Sequence, residues 1–135
     1  MKRIYACIVS AIIVLILTGC TIEKENATKI KDMEYTVLDK DKIPEEFLTV
    51  IEEKKSQPLK LTYMDQGYLY IAQGYGAQET SGYSIKVLEC YESKNAIYIH
   101  TNLIGPTKEE EIITTTTYPY LVVKMEENEK NVVFE

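Results

Sequence analysis

From Met33 onward apolar and polar positions alternate in short runs, and the rhythm changes once. Leu59, Leu61 and Tyr63 alternate with Lys60, Thr62 and Met64, the two-residue period of a strand. Asp65-Gln66-Gly67 is turn chemistry, and residues 68–72 read as the return strand. Residues 83–92 form a long strand-like run, Ser93-Lys94-Asn95 turns it, and residues 96–102 run back. Shorter candidates lie at 35–38, 118–125 and 132–134, and residues 112–117 are β-branched throughout. The exception is the stretch after Pro44. Phe47, Leu48 and Ile51 follow a helical stripe, Glu45 and Glu46 suit its first turn, Lys54 and Lys55 suit its last, and Pro58 ends it. The pattern predicts an α+β fold: a mainly antiparallel β-sheet of about five to seven strands with one packed α-helix.

The N-terminus has a different pattern. Met1-Lys2-Arg3 is basic, and residues 4–17 are apolar apart from Ser10. Fourteen helical residues reach roughly 21 Å, short of the ~30 Å hydrocarbon core, so a cleaved export signal fits better than a permanent span. The signal ends in Leu17-Thr18-Gly19-Cys20, which resembles the bacterial lipobox. That resemblance implies recognition through Leu17, Thr18 and Gly19, a diacylglyceryl group on the Cys20 sulfur, and cleavage before Cys20. The expected organisation is a signal peptide at 1–19, a lipidated flexible tether at 20–32, and one domain at 33–135. The expected location is the extracytoplasmic side of a cell membrane, with Cys20 as the anchor.

Charge sharpens this picture. The formal net charge is -6; removing Lys2 and Arg3 from the 15 basic residues leaves 13 against 21 acidic ones, a net -8. Such a domain repels nucleic-acid phosphates and anionic lipid, so a lipid rather than charge must hold it to a membrane. Cys7 falls in the signal and Cys20 takes the lipid, leaving Cys90 as a lone thiol with no internal disulfide partner. Tyr provides 11 of the aromatic residues and Trp is absent.

No catalytic, metal or cofactor constellation stands out. His100 is the only histidine. A two-residue turn after Ser93 would set Cys90 with Ile97 or Ile99 and His100 with Tyr98 and Glu89, on opposite faces. A three-residue turn would reverse that parity. Glu109-Glu110-Glu111 is contiguous, so its side chains diverge. Gly74-Tyr75-Gly76 lacks the Lys and the following helix of a phosphate loop.

Two spaced motifs carry a family resemblance. Glu79-Thr80-Ser81-Gly82-Tyr83-Ser84-Ile85 resembles the "T-G-G-Y-S-I" centre of the PrcB C-terminal domain family, with Ser81 where Gly is usual. Thr117-Tyr118-Pro119-Tyr120-Leu121-Val122-Val123 resembles its "T-x-P-Y-x-V-V" closing strand, and Gly105-Pro106 falls at its Pro-containing break. The resemblance implies an exported, non-enzymatic accessory protein that binds and stabilises another exported protein, with a surface protease complex as the precedent. It singles out Thr80, Gly82, Tyr83, Tyr118, Pro119 and Tyr120 as fold-framing or partner-binding residues. The alternative expectation is a lipoprotein that binds or senses a small molecule or wall fragment, which requires a concave apolar pocket.

Cys20→Ala removes the acceptor sulfur. Fractionation should then find the variant as uncleaved precursor or in the medium; mature-sized variant retained on the membrane would contradict lipidation.

Overall fold

A computed structural model describes residues 29–135, so the signal residues Leu17, Thr18 and Gly19 and the lipidation position Cys20 lie outside the described residues. Strands β1 (Lys29–Asp32) and β2 (Thr36–Val37) lead into a short 3-10 turn at Lys40–Lys42 and helix α1 (Glu45–Lys54). Six strands follow: β3 (Pro58–Asp65), β4 (Tyr68–Tyr75), β5 (Ser84–Ser93), β6 (Ala96–Ile104), β7 (Tyr120–Glu126) and β8 (Asn131–Phe134). They form two four-stranded sheets, in the orders β1-β5-β6-β8 and β2-β7-β4-β3. Every pairing is antiparallel except β6 with β8. No helix among the described residues is long and apolar enough to cross a membrane.

Strand parity divides the apolar residues between two cores. Leu69 and Ile71 on β4 and Leu121, Val123 and Met125 on β7 face the other sheet, where they meet Cys90, Ile97 and Ile99. The intervening residues Tyr70, Ala72 and Val122 face the helix layer and meet Ile43, Phe47, Ile51 and Leu59. The β2-β7-β4-β3 sheet is thus covered on both faces. This explains why β4 is buried from Leu69 through Gly74 instead of alternating. The helix packs through Phe47, whose ring stacks on Tyr63 with centroids 5.2 Å apart. The Tyr63 hydroxyl donates to Glu46 Oε2 at 3.0 Å.

The β3–β4 hairpin turns through Gln66 and Gly67, with φ of 50° and 84°. Two consecutive positive φ angles are what a tight two-residue hairpin needs to match strand twist, and Gly supplies the second without strain. The β5–β6 hairpin turns through Lys94 and Asn95. Ser93 Oγ there accepts from Ala96 N at 3.1 Å and donates to Ala96 O at 3.2 Å.

The α+β class holds, and the helix lies where the stripe predicts, with Pro44 one residue ahead of it rather than at its first position. The arrangement differs in three respects. The strands number eight among the described residues and form two sheets, because β4 and β7 serve two cores at once. Residues 29–32, expected within the flexible tether, pair with β5 through backbone hydrogen bonds while all four side chains stay exposed. A strand with no buried side chain leaves no periodic trace in the sequence. Residues 112–117 are not a strand: only Thr117 makes a bridge, with Gln78.

Ile71 is fully buried at the centre of this arrangement. Ile71→Ala should lower unfolding free energy by about 2–5 kcal/mol in urea titration, whereas truncating exposed Ile113 should change it by less than about 0.5 kcal/mol. Equal effects would contradict the core assignment.

Candidate partner-binding site

The two motif-bearing segments meet at one end of the sandwich. There β4 leads into loop 76–83 and β6 leads into loop 105–119. The loops are sewn together by hydrogen bonds. Gln78 and Thr117 exchange backbone bonds at 2.8 and 2.9 Å, and Ser81 N donates to Ile113 O at 3.0 Å. Side chains complete the seam: Thr117 Oγ1 donates to Thr80 O at 2.7 Å, and Ser81 Oγ accepts from Ile113 N at 2.8 Å. At its base, Tyr75 N donates to Pro119 O at 3.2 Å.

Gly82 packs against Pro106 of the facing loop. Its φ is 89°, and a Cβ there would lie 2.7 Å from Pro106 Cβ and 3.2 Å from Glu110 Oε2. Both the backbone conformation and the available space therefore demand glycine. Glu110 Oε1 also accepts from Thr107 Oγ1 at 3.3 Å, so part of the acidic run serves to shape the loop.

Beneath the loops the core turns polar. Tyr75 Oη and Thr101 Oγ1 lie 2.6 Å apart in a hydrogen bond. Gln73 Oε1 is buried with no hydrogen-bond partner among the described residues.

Tyr120 links the motif to the helix. Its hydroxyl donates to Glu52 Oε1 at 3.3 Å. Glu52 also binds Lys55 at 2.5 Å and Lys40 at 2.9 Å. Hydrogen bonds from Lys55 and then Lys40 hold the Glu52 carboxyl down to about 2. Burial, and then the Glu52 charge, push the Tyr120 hydroxyl up. The Lys55 ammonium lies 5.5 Å from the centroid of the Tyr118 ring.

The six motif residues thus divide. Thr80, Gly82, Tyr83, Pro119 and Tyr120 are half-buried or engaged in the seam, apart from the exposed glycine, and they frame the loops. Tyr118 is exposed. Sequence reasoning missed its apolar companions at the same end: Ile104, Ile112 and Ile113 are all exposed, with Ile113 at 67%. The β-branched run at 112–117 carried the signal, but its composition pointed to a strand rather than to an open loop.

The other candidate groups are dispersed. Cys90 faces Ile99 across the β5–β6 pair within the core, while His100 faces Glu89 on the outer surface, as the two-residue turn requires. Burial pushes the Cys90 thiol up to about 11, which leaves it un-ionised and a poor nucleophile at neutral pH.

The family model described as PrcB C-terminal matches residues 69–126, the span from β4 to β7 that contains both motifs and both loops. It is the same family that the two motifs resemble. No curated protein and no solved structure matches the chain.

Gly82→Ala should therefore destabilise the fold by more than Gly67→Ala, because a Cβ at Gly67 meets nothing within 4 Å. The Gly67 change should cost on the order of 1 kcal/mol from backbone strain alone. Equal melting temperatures for the two variants would contradict the loop seam.

Proposed function

We propose, on the match of residues 69–126 to the PrcB C-terminal family, that this chain is a membrane-anchored lipoprotein that binds and stabilises another exported protein. Its role is non-enzymatic, and a surface protease is the partner class that the family name favours. The lipobox residues Leu17, Thr18 and Gly19 and the acceptor Cys20 support export and anchoring.

The observation that carries the binding role is the apolar loop end. Ile112, Ile113 and Tyr118 are exposed on loop 105–119, whose backbone the seam ties down at Ile113, Thr117 and Pro119, and Ile104 is exposed at the end of β6 that leads into it. Exposed apolar side chains grouped in one region mark interaction surfaces more often than isolated ones do. A pre-formed loop also loses little conformational entropy on binding. The long edge strand β3 is less suited to strand addition. Its Lys60 points to the sandwich side, 6.0 Å from the Phe134 ring centroid, and an inward-pointing charge blunts an edge.

The small-molecule reading has one feature in its favour, a groove of about 700 Å³ beside β2 and the end of β7. Lys31, Asp32, Glu34, Lys124 and Glu126 line much of it, so it lacks the mainly apolar wall of a typical ligand pocket.

Photo-crosslinkers placed singly at Ile113, Tyr118 and Met64 of the full chain in its native membrane test this role. Met64 is also exposed but lies by the Gln66-Gly67 turn, at the other end of β3 and β4 from the loops. One exported protein should be captured from positions 113 and 118 and not from 64. Capture from all three alike, or from none, would contradict a loop-end binding site.

A further inference from the structure

The outer face of the β1-β5-β6-β8 sheet holds a side-chain group that partner binding leaves unused. Glu89 on β5, His100 on β6 and Glu135 just after β8 form a row across three neighbouring strands. Each offers one ligand atom, and these atoms all lie within 4.8 Å of one another.

The backbone sets this row. Counted from the two-residue turn at Lys94-Asn95, the ladder runs regularly through Cys90 opposite Ile99 to Glu89 opposite His100, and its register shifts only beyond that pair, between Glu89 and Val87. On the other side β8 runs parallel to β6, with Phe134 opposite Ile99. Glu135 N then donates to Ile99 O at 2.8 Å, which fixes the backbone of Glu135 beside His100.

The charges of this row are otherwise unanswered. The salt bridges among the described residues use Asp32, Glu52 and Glu92, and none reaches Glu89 or Glu135. Two carboxylates brought this close repel one another, and a divalent cation between them removes that cost.

We propose that Glu89, His100 and Glu135 form a binding site for a divalent transition ion of the Zn2+ type. One imidazole nitrogen with two carboxylate oxygens favours such an ion over Ca2+ or Mg2+, which prefer oxygen alone. Three protein ligands leave a further position for water. Zinc binds these donors at about 2.0–2.2 Å, which sets neighbouring ligands roughly 3.4 Å apart. Glu89 and Glu135 are exposed, so their side chains are free to close that gap by rotamer changes. The bound ion would tie β8, a four-residue edge strand, to β6 and β5.

The test is calorimetric titration of Zn2+ into the full-length chain in detergent after chelator treatment, alongside Glu89→Gln, His100→Ala and Glu135→Gln. Wild type should take up one Zn2+ with a Kd in roughly the micromolar range, and each variant should bind at least about tenfold more weakly. The imidazole carbon-bound proton resonance of His100 should shift with the same midpoint in wild type, a readout that does not depend on the variants folding. A variant that loses less than about tenfold, a stationary His100 resonance, or no uptake below about 1 mM would overturn the site.

Discussion

Between Leu69 and Gly74, β4 sends its side chains alternately into two cores and hydrogen-bonds to β3 on one side and β7 on the other. No other constraint reaches so much of the molecule. The inward residues of β4 and β7 pin one sheet onto the other, and the residues between them pin α1 to the opposite face. The pairing runs without a register break from Tyr68 opposite Glu126 to Gly74 opposite Tyr120. A one-residue slip would exchange the two faces of β4, turning Gln73 toward the helix and Tyr70 into the sandwich.

That same pairing delivers the loop end. Because Gly74 faces Tyr120, the chain leaving β4 and the chain entering β7 lie side by side, and loops 76–83 and 105–119 meet as they depart. Gly74 is itself part of the fit, since a Cβ there would lie 3.0 Å from Leu59 Cγ and 3.3 Å from Tyr120 Cβ. Two motifs separated in sequence therefore become one seam, and the exposed isoleucines and Tyr118 ride on it. Binding at this end draws on rigidity made in the core, whereas the Glu89-His100-Glu135 row draws on the register of the other sheet.

The strands with strong alternation or strong apolar runs were legible in the sequence, and so was the helix stripe of Phe47 and Ile51. Gly82 was legible as a residue that a tight turn needs, although its contact with Pro106 was not. Three features left no trace. β1 buries no side chain, so its polar composition resembles a tether. The division into two sheets depends on which face of β4 meets which core, and a doubly buried strand carries no alternation to reveal it. The His100 row depends on β8 running parallel to β6, which sets Glu135 beside a His100–Glu89 pair that the two-residue turn alone accounts for. The run at 112–117 misled in the other direction, because β-branched residues suit strands yet here lie on an exposed loop.

Hydrogen exchange resolved by residue on the full chain tests most directly whether β4 and β7 form the spine on which the rest is mounted. The amides of Ile71, Val122 and Val123 should exchange only with global unfolding, while those of loop 105–119 outside the seam exchange orders of magnitude faster. If the β4 and β7 amides opened as readily as that loop while β5 and β6 stayed closed, the two-core spine would be wrong.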